Sequence, residues 1–258
     1  GIALGHQRLS IIDLSDAGRQ PMPSAHNRYA LCFNGEIYNH PELRKELLRK
    51  GHAFRGTSDT EVMLAAFEEW GLDDALPKFD GMFAFALWDI ERRRLHLVRD
   101  RLGIKPLYYG FVGHTFVFAS EPNALREVDG WTGEIDPAAL GLFMHHASVP
   151  APYSIYKGIR KLAPGTLCTL TDPSRPFDGI EVSAWWSART ELERGQSDLY
   201  PKSVENAAEE LEKLLTESVR QRLVSDVPLG AFLSGGIDSS LVVALMQKTS
   251  EAKVKTFT

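Results

Sequence analysis

Apolar residues recur along this chain with two periods, which divide it into a strand-rich first part and a helix-rich end. Residues 28–33 read as a strand that runs into a loop, Asn34-Gly35-Glu36-Ile37-Tyr38. A helix is expected next, with Asn39 as N-cap and Glu42 completing a capping box. Leu43, Leu47 and Leu48 form its inner face and Gly51 its stop. A second capping box, Ser58 with Glu61, opens a helix striped by Val62, Ala65, Ala66, Phe67 and Trp70 and closed by Gly71. Residues 81–90 are almost wholly apolar and predict a strand buried on both faces, with residues 95–98 returning beside it. Residues 107–110 and 116–119 predict another hairpin around Gly113. Helices and strands segregate here, which predicts a layered α+β domain.

Residues 136–170 are irregular and rich in Pro, with a helix expected at 140–145. Residues 171–202, broken by Pro173, Pro176, Gly195 and Pro201, read as a long connection. An amphipathic helix is expected from the N-cap Ser203 to about residue 223, with Leu211, Leu214, Leu215, Val219 and Leu223 on one side. A strand at 229–233, a tight loop and a helix at 239–248 then predict the opening of an α/β parallel sheet. The chain enters inside an apolar run (Ile2, Ala3, Leu4) and leaves at Val254-Lys255-Thr256-Phe257-Thr258, so both ends read as cut.

With 43% hydrophobic and 24% charged residues, the 258 residues suit one large or two ordinary globular domains. A net charge of -5 with scattered cations argues against nucleic acid as a partner; the cluster Arg92-Arg93-Arg94 reads as a solvated turn. The longest apolar run, residues 82–88, is far short of the roughly 18 residues of a membrane span. No signal-peptide pattern is seen, and the expected setting is cytoplasmic. Cys32 and Cys168 lie in separate apolar stretches and read as buried thiols rather than a disulfide. His145-His146 has no acidic or thiol partner at ligand spacing.

The strongest local chemical signal is Leu233-Ser234-Gly235-Gly236-Ile237-Asp238-Ser239-Ser240 between a strand and a helix. Two glycines let successive amides turn inward, and the helix N-terminus adds positive character. No P-loop lysine is present. The S-G-G-x-D-S pattern resembles the pyrophosphate loop of ATP pyrophosphatases, which cleave ATP to AMP and diphosphate. The resemblance implies ATP on Leu233, Ser234, Gly235, Gly236, Asp238, Ser239 and Ser240, with Mg²⁺ held by Asp238 through the diphosphate. A Gly-Gly turn with Asp238 or Ser239 as a mere cap is the structural alternative.

Upstream, five stretches occur in order: Arg8-Leu9-Ser10-Ile11-Ile12-Asp13, Asn34-Gly35-Glu36-Ile37-Tyr38-Asn39, Gly56-Thr57-Ser58-Asp59-Thr60-Glu61, Phe79-Asp80-Gly81-Met82-Phe83-Ala84, and Arg99-Asp100-Arg101-Leu102-Gly103-Ile104-Lys105-Pro106-Leu107. Together they resemble the glutaminase domain of class II, N-terminal nucleophile amidotransferases. With the pyrophosphate loop, the whole chain resembles the glutamine-dependent asparagine synthetase family. That implies an αββα glutaminase domain, incomplete here, over residues 1–180, a linker at 181–202, and the start of a Rossmann-like ATP-pyrophosphatase domain at 203–258. It also implies glutamine, aspartate and ATP as small-molecule partners, and a homodimer.

On matching positions, the resemblance makes Asn34 and Gly35 the oxyanion hole. It places free glutamine on Arg8, Leu9, Ser10, Ile11, Ile12, Asn34, Gly35, Glu36 and Asp59. Arg8 would fork onto the α-carboxylate, and Glu36 and Asp59 would take the ammonium. Each residue alone also fits a structural role: Asp59 at a helix start, Asn34-Gly35 as a turn, Arg8 as a surface ion pair. The family's N-terminal nucleophilic Cys is absent from these residues, so the fragment by itself is expected not to hydrolyse glutamine. Two rivals remain open at this stage, an amidotransferase acting on another carboxylate and a non-catalytic glutamine or nucleotide sensor.

Overall fold

The direction in which each strand's side chains face follows from its alternation of large and small residues, and the computed structural model shows what each face meets. It describes residues 1–172 and 179–258; Pro173 and Pro176, read above as breakers, lie outside the described residues. The elements in chain order begin with β1 (Met22–Pro23), β2 (Tyr29–Ile37), α1 (His40–Arg49), α2 (Asp59–Trp70) and α3 (Leu72–Ala75). Next come β3 (Gly81–Asp89), β4 (Arg94–Arg99), β5 (Tyr108–Val112), β6 (Thr115–Ala119) and α4 (Pro137–His146). The last are β7 (Ile159–Lys161), β8 (Thr166–Leu170), β9 (Ile180–Ala184), α5 (Ala188–Ser197), α6 (Val204–Gln221), β10 (Gly230–Phe232), α7 (Ile237–Thr249) and β11 (Lys255–Phe257). The chain forms two units. The first is Gly1–Arg8, Arg19–Phe54 and Asp59–Arg189, the second Leu9–Gly18, Arg55–Ser58 and Thr190–Thr258.

In the first unit, six antiparallel strands order as β1-β2-β3-β4-β8-β9, and a second sheet orders as β6-β5-β7. Leu31 and Phe33 of β2 and Phe83, Phe85 and Leu87 of β3 face Leu43 and Leu47 of α1 and Val62, Met63 and Phe67 of α2. Cys32, Ala84 and Ala86 face the other way, packing with Leu97 and Cys168 against Leu107, Tyr109 and Leu162. Bulky residues fill the helix side, while the alanines admit the second sheet. The result is the layered α+β arrangement that the pattern predicts.

Several local expectations are corrected. The stretch Asn34-Gly35-Glu36-Ile37 is the end of β2 rather than a loop, paired residue by residue with β3 from Tyr29↔Asp89 to Ile37↔Gly81. Close approach of the two backbones makes this possible. A Cβ on Gly35 would lie 2.1 Å from the Met82 carbonyl oxygen, and one on Gly81 would lie 2.2 Å from that of Glu36. Asn39 stands at the N-cap of α1 as expected, but its side chain makes no capping bond: its amide spans the Lys78 carbonyl (2.9 Å) and the Asp80 N–H (2.9 Å). Leu48 is half exposed, since only Leu43 and Leu47 share the buried stripe.

The irregular stretch 136–170 contains β7 and β8, one for each sheet, after a full helix α4 capped by Asp136. The stretch taken as a connection holds β9 and α5, with Gly195 inside the helix. β7 and β8 owe their formation to distant partners, which local pattern does not register, and β9 pairs with β8.

The Arg99–Pro106 motif is a backbone knot. Buried Asp100 accepts from the amides of Phe83 (3.1 Å), Leu102, Ile104 and Lys105 (3.0 Å each). Arg99 donates to the carbonyls of Gly103, Lys105 and Leu162. The Arg99 carbonyl takes the Trp185 indole N–H at 3.1 Å, and Trp185 stacks on Phe83.

In the second unit, Ser203 caps α6 as expected, its Oγ accepting from the Asn206 amide. β10 and β11 pair in parallel around α7, which makes a strand–helix–strand unit. The helix starts at Ile237 instead of Ser239, because Gly236 already holds N-cap geometry and its carbonyl accepts from the Ser240 amide. Among the described residues no helix is long and apolar enough to cross a membrane.

Asp100→Ala leaves four amides without their acceptor and should cost roughly 3 kcal/mol or more. Urea unfolding followed by intrinsic fluorescence measures it, and a midpoint equal to wild type would mean those amides find other acceptors.

Candidate functional site

Odd-numbered residues of β2 turn their amides to its outer edge. There the Phe33 N–H goes to Gln20 Oε1 at 2.6 Å and the Ile37 N–H to Asp59 Oδ2 at 3.0 Å. Gly35 lies between them. Its cross-strand partner Phe83 gives its N–H to Asp100 Oδ2 and takes the Asp100 N–H on its carbonyl. By antiparallel alternation the Gly35 N–H therefore also points outward, away from β3. It meets no acceptor among the described residues. A donor held rigidly on a strand edge, with no side chain over it, is what a developing oxyanion needs. Asn34 faces the other side of the sheet, its Nδ2 donating to Ser120 Oγ at 3.1 Å. Glu36 and Arg8 are half-buried and each engages a neighbour.

Asp59 opens α2 and is drawn to β2 by its bond to Ile37; Oδ1 accepts from the Thr60 amide at 2.8 Å. Burial pushes its carboxyl above the ordinary range, against the hydrogen bonds from Ile37 and Thr60. Buried Gln20, not singled out by sequence, joins the same edge by donating to Thr60 Oγ1. Thus Asp59 is bonded through Ile37 to the end of β2 that holds Gly35 and Glu36, while the Asn34 side chain turns to Ser120.

Leu9, Ser10, Ile11 and Ile12 belong to the second unit; Leu9 is exposed and Ile12 buried. The organising group there is Asp13, which sequence reasoning passed over although it closes the first motif. Its Oδ2 accepts from the Thr57 amide at 2.7 Å, and Oδ1 accepts from the Ser15 hydroxyl (2.5 Å) and amide (3.1 Å). Burial works to raise the Asp13 pKa, but the bonds from Ser15, Thr57 and Ser58 outweigh it and leave the carboxyl below its usual value.

The loop after β10 is open. Gly235 has φ +79°, and a Cβ there would touch nothing within 4 Å. Ser234 Oγ and Ser239 Oγ lie 3.0 Å apart, and Ser239 Oγ also donates to the Gly236 carbonyl. Asp238 is exposed in the first turn of α7, beside Ile237, whose side chain is 87% exposed. Two hydroxyls, a helix N-terminus and one carboxylate fit a diphosphate with its cation. Among the described residues no group of three His, Cys, Asp or Glu side chains could hold a metal by itself. Both cysteines are free and buried, with the Cys32 thiol pushed up to about 11 and Cys168 up to about 12 by burial.

Residues 1–186 match the family described as glutamine amidotransferase domain, and residues 210–258 the one described as asparagine synthase. The chain is 36% identical to asparagine synthetase [glutamine-hydrolyzing] 3 of Bacillus subtilis, over 99% of its own length and 41% of the relative. It is 38% identical to synthetase 1 of the same organism, over 99% of its length and 38% of that protein. It is 34% identical to amidase chyE of Penicillium rubens, over 95% and 34%. The chain thus spans about two fifths of the length of the curated relatives it matches best among these.

Because the Asp13 pKa is lowered on folding, its contribution to stability is present above the ordinary carboxyl range and is lost as pH falls through the folded value. Asp13→Asn should therefore melt below wild type at pH 7, with the gap narrowing below about pH 4. Thermal melts across that range measure it, and a gap independent of pH would contradict the assignment.

Proposed function

Since this chain belongs to the glutamine amidotransferase domain family, we propose that it is part of an asparagine synthetase, moving the amide nitrogen of glutamine to aspartate with ATP as the driving substrate. One observation carries the reading: a single chain holds an outward-facing Gly35 amide beside Asn34 and Asp59, and a lysine-free Ser-Gly-Gly loop at the N-terminus of α7. The glutaminase chemistry falls to residues 1–180 and the nucleotide chemistry to 203–258.

In the first reaction a cysteine thiolate attacks the amide carbon of glutamine. The Gly35 N–H and Asn34 Nδ2 hold the oxyanion, ammonia leaves, and water then frees glutamate. Cys32 and Cys168 are buried among the side chains that pack between the two sheets, which also pushes their thiols up, so we assign the nucleophile to a cysteine outside these 258 residues. Arg8 forks onto the glutamine α-carboxylate, the backbone of Leu9, Ser10, Ile11 and Ile12 lines the substrate, and Glu36 and Asp59 take its ammonium. An ammonium beside Asp59 offsets the burial that raises its pKa.

In the second reaction the aspartate β-carboxylate attacks the α-phosphorus of ATP and diphosphate leaves, giving β-aspartyl-AMP. Ammonia then displaces AMP to form asparagine. Leu233, Ser234, Gly235, Gly236, Ser239 and Ser240 cradle the diphosphate, and Asp238 would hold Mg²⁺, which supplies charge neutralisation on the leaving oxygens. Passing ammonia inside the protein keeps it unprotonated and nucleophilic. A second reading is transfer to a carboxylate other than aspartate, in keeping with a relative that matches 95% of the chain without being named an asparagine synthetase.

The intact enzyme given aspartate, glutamine and ATP should produce asparagine and AMP in equal amounts; turnover only with another acid would select the second reading. Asp238→Ala should abolish ATP-dependent diphosphate release and leave glutamine hydrolysis largely in place. Equal diphosphate release from the variant and wild type would remove the role given to the loop. Asp59→Asn should raise the KM for glutamine about tenfold or more, with ammonia-dependent synthesis retained.

A further inference from the structure

The backbone of residues 11–13 is gripped at two points by one distant residue. The Asp226 amide donates to the Ile11 carbonyl at 3.0 Å, and Asp226 Oδ2 accepts from the Asp13 amide at 2.7 Å. The two bonds flank Ile12 and close a ring in which Asp226 stands in for a neighbouring strand. They hold Asp13 at φ 57°, in the left-handed region that L residues avoid. From there the Asp13 carboxylate reaches the Thr57 amide, and the fit leaves room only for glycine at 56, where a Cβ would lie 2.2 Å from Asp13 Oδ2. All of these residues lie within the second unit.

Asp226 falls in the range that matches asparagine synthase, while Ile11, Asp13 and Thr57 fall in the glutamine amidotransferase range. The gripped residues adjoin and include part of the stretch Leu9–Ile12, whose backbone is assigned above to line the glutamine. We infer that Asp226, supplied by the nucleotide-binding part of the chain, is a positioning residue for glutamine capture. It fixes the backbone of residues 11–13, within and next to the stretch assigned to line the glutamine. This rests on the glutaminase reading above.

The test is steady-state kinetics of the intact enzyme with Asp226→Ala and Asp226→Asn. Alanine removes the acceptor for the Asp13 amide, and asparagine keeps an oxygen in its place. The alanine variant should raise the KM for glutamine roughly tenfold or more, with kcat for hydrolysis and ammonia-dependent synthesis near wild type; asparagine should restore the KM. If the alanine variant fails to accumulate, Asp226→Ser, whose hydroxyl falls short of the amide, replaces it. An unchanged KM, or equal losses of the glutamine- and ammonia-dependent reactions, overturns the inference while the glutaminase reading stands. A wild-type enzyme that hydrolyses no glutamine overturns that reading and this inference with it.

Discussion

The pairing of β2 with β3 along their full length is the constraint on which the first unit depends. It places Phe83 and Phe85 on the helix side, where Phe67 and Phe79 meet them in edge and tilted contacts. Such pairs contribute about 0.5–1.5 kcal/mol each beyond their buried area. The same pairing requires glycine at 35 and 81, since any side chain would strike the facing carbonyl. The glycine that lets the sheet close is therefore also the residue whose bare amide faces outward. Packing and chemistry have a common cause here.

What could be read in the sequence, and what could not, divides along the range of the interactions. Helices α2 and α6 are bounded by nearby residues, Ser58 and Gly71 for one and Ser203 for the other, so their periodicity suffices. The end of β2 looked like a turn because Asn-Gly usually is one; only the facing Gly81–Met82 edge turns it into strand. β7, β8 and β9 are short and lie among prolines and glycines; β7 and β8 form against strands far away in sequence, and β9 then adds to β8.

At the site the same division holds. Asn34, Gly35, Asp59 and the 234–240 loop announce themselves as residue types in motifs. Asp13, Gln20 and Asp226 accept backbone amides from residues outside their own motifs, 213 residues away in the case of Asp226 and Asp13, and Asp100 joins three nearby amides to that of Phe83. A carboxylate used in this way leaves no period and no spacing. It shows only as an acidic residue inside a motif whose other members have clearer roles, which is how Asp13 and Asp100 stand in theirs.

Both proposed centres include backbone amides among the donors given to anions, and this determines what each must have around it. An amide cannot swing toward its ligand as a lysine can, so its usefulness depends on how firmly its segment is held. The Gly35 amide is held by a nine-residue strand with bonded amides on either side. In the 234–240 loop, Leu233 is tied to Phe257 by a 2.7 Å bond and Ser240 to Gly236. Residues 9–12 lie in no regular element, and their firmness depends on Asp13 and on Asp226. An irregular segment proposed to line a substrate needs such a tether, and the tether here is drawn from beyond the range matched to the amidotransferase domain. The two proposed functions thus share a mechanical part before they share a substrate.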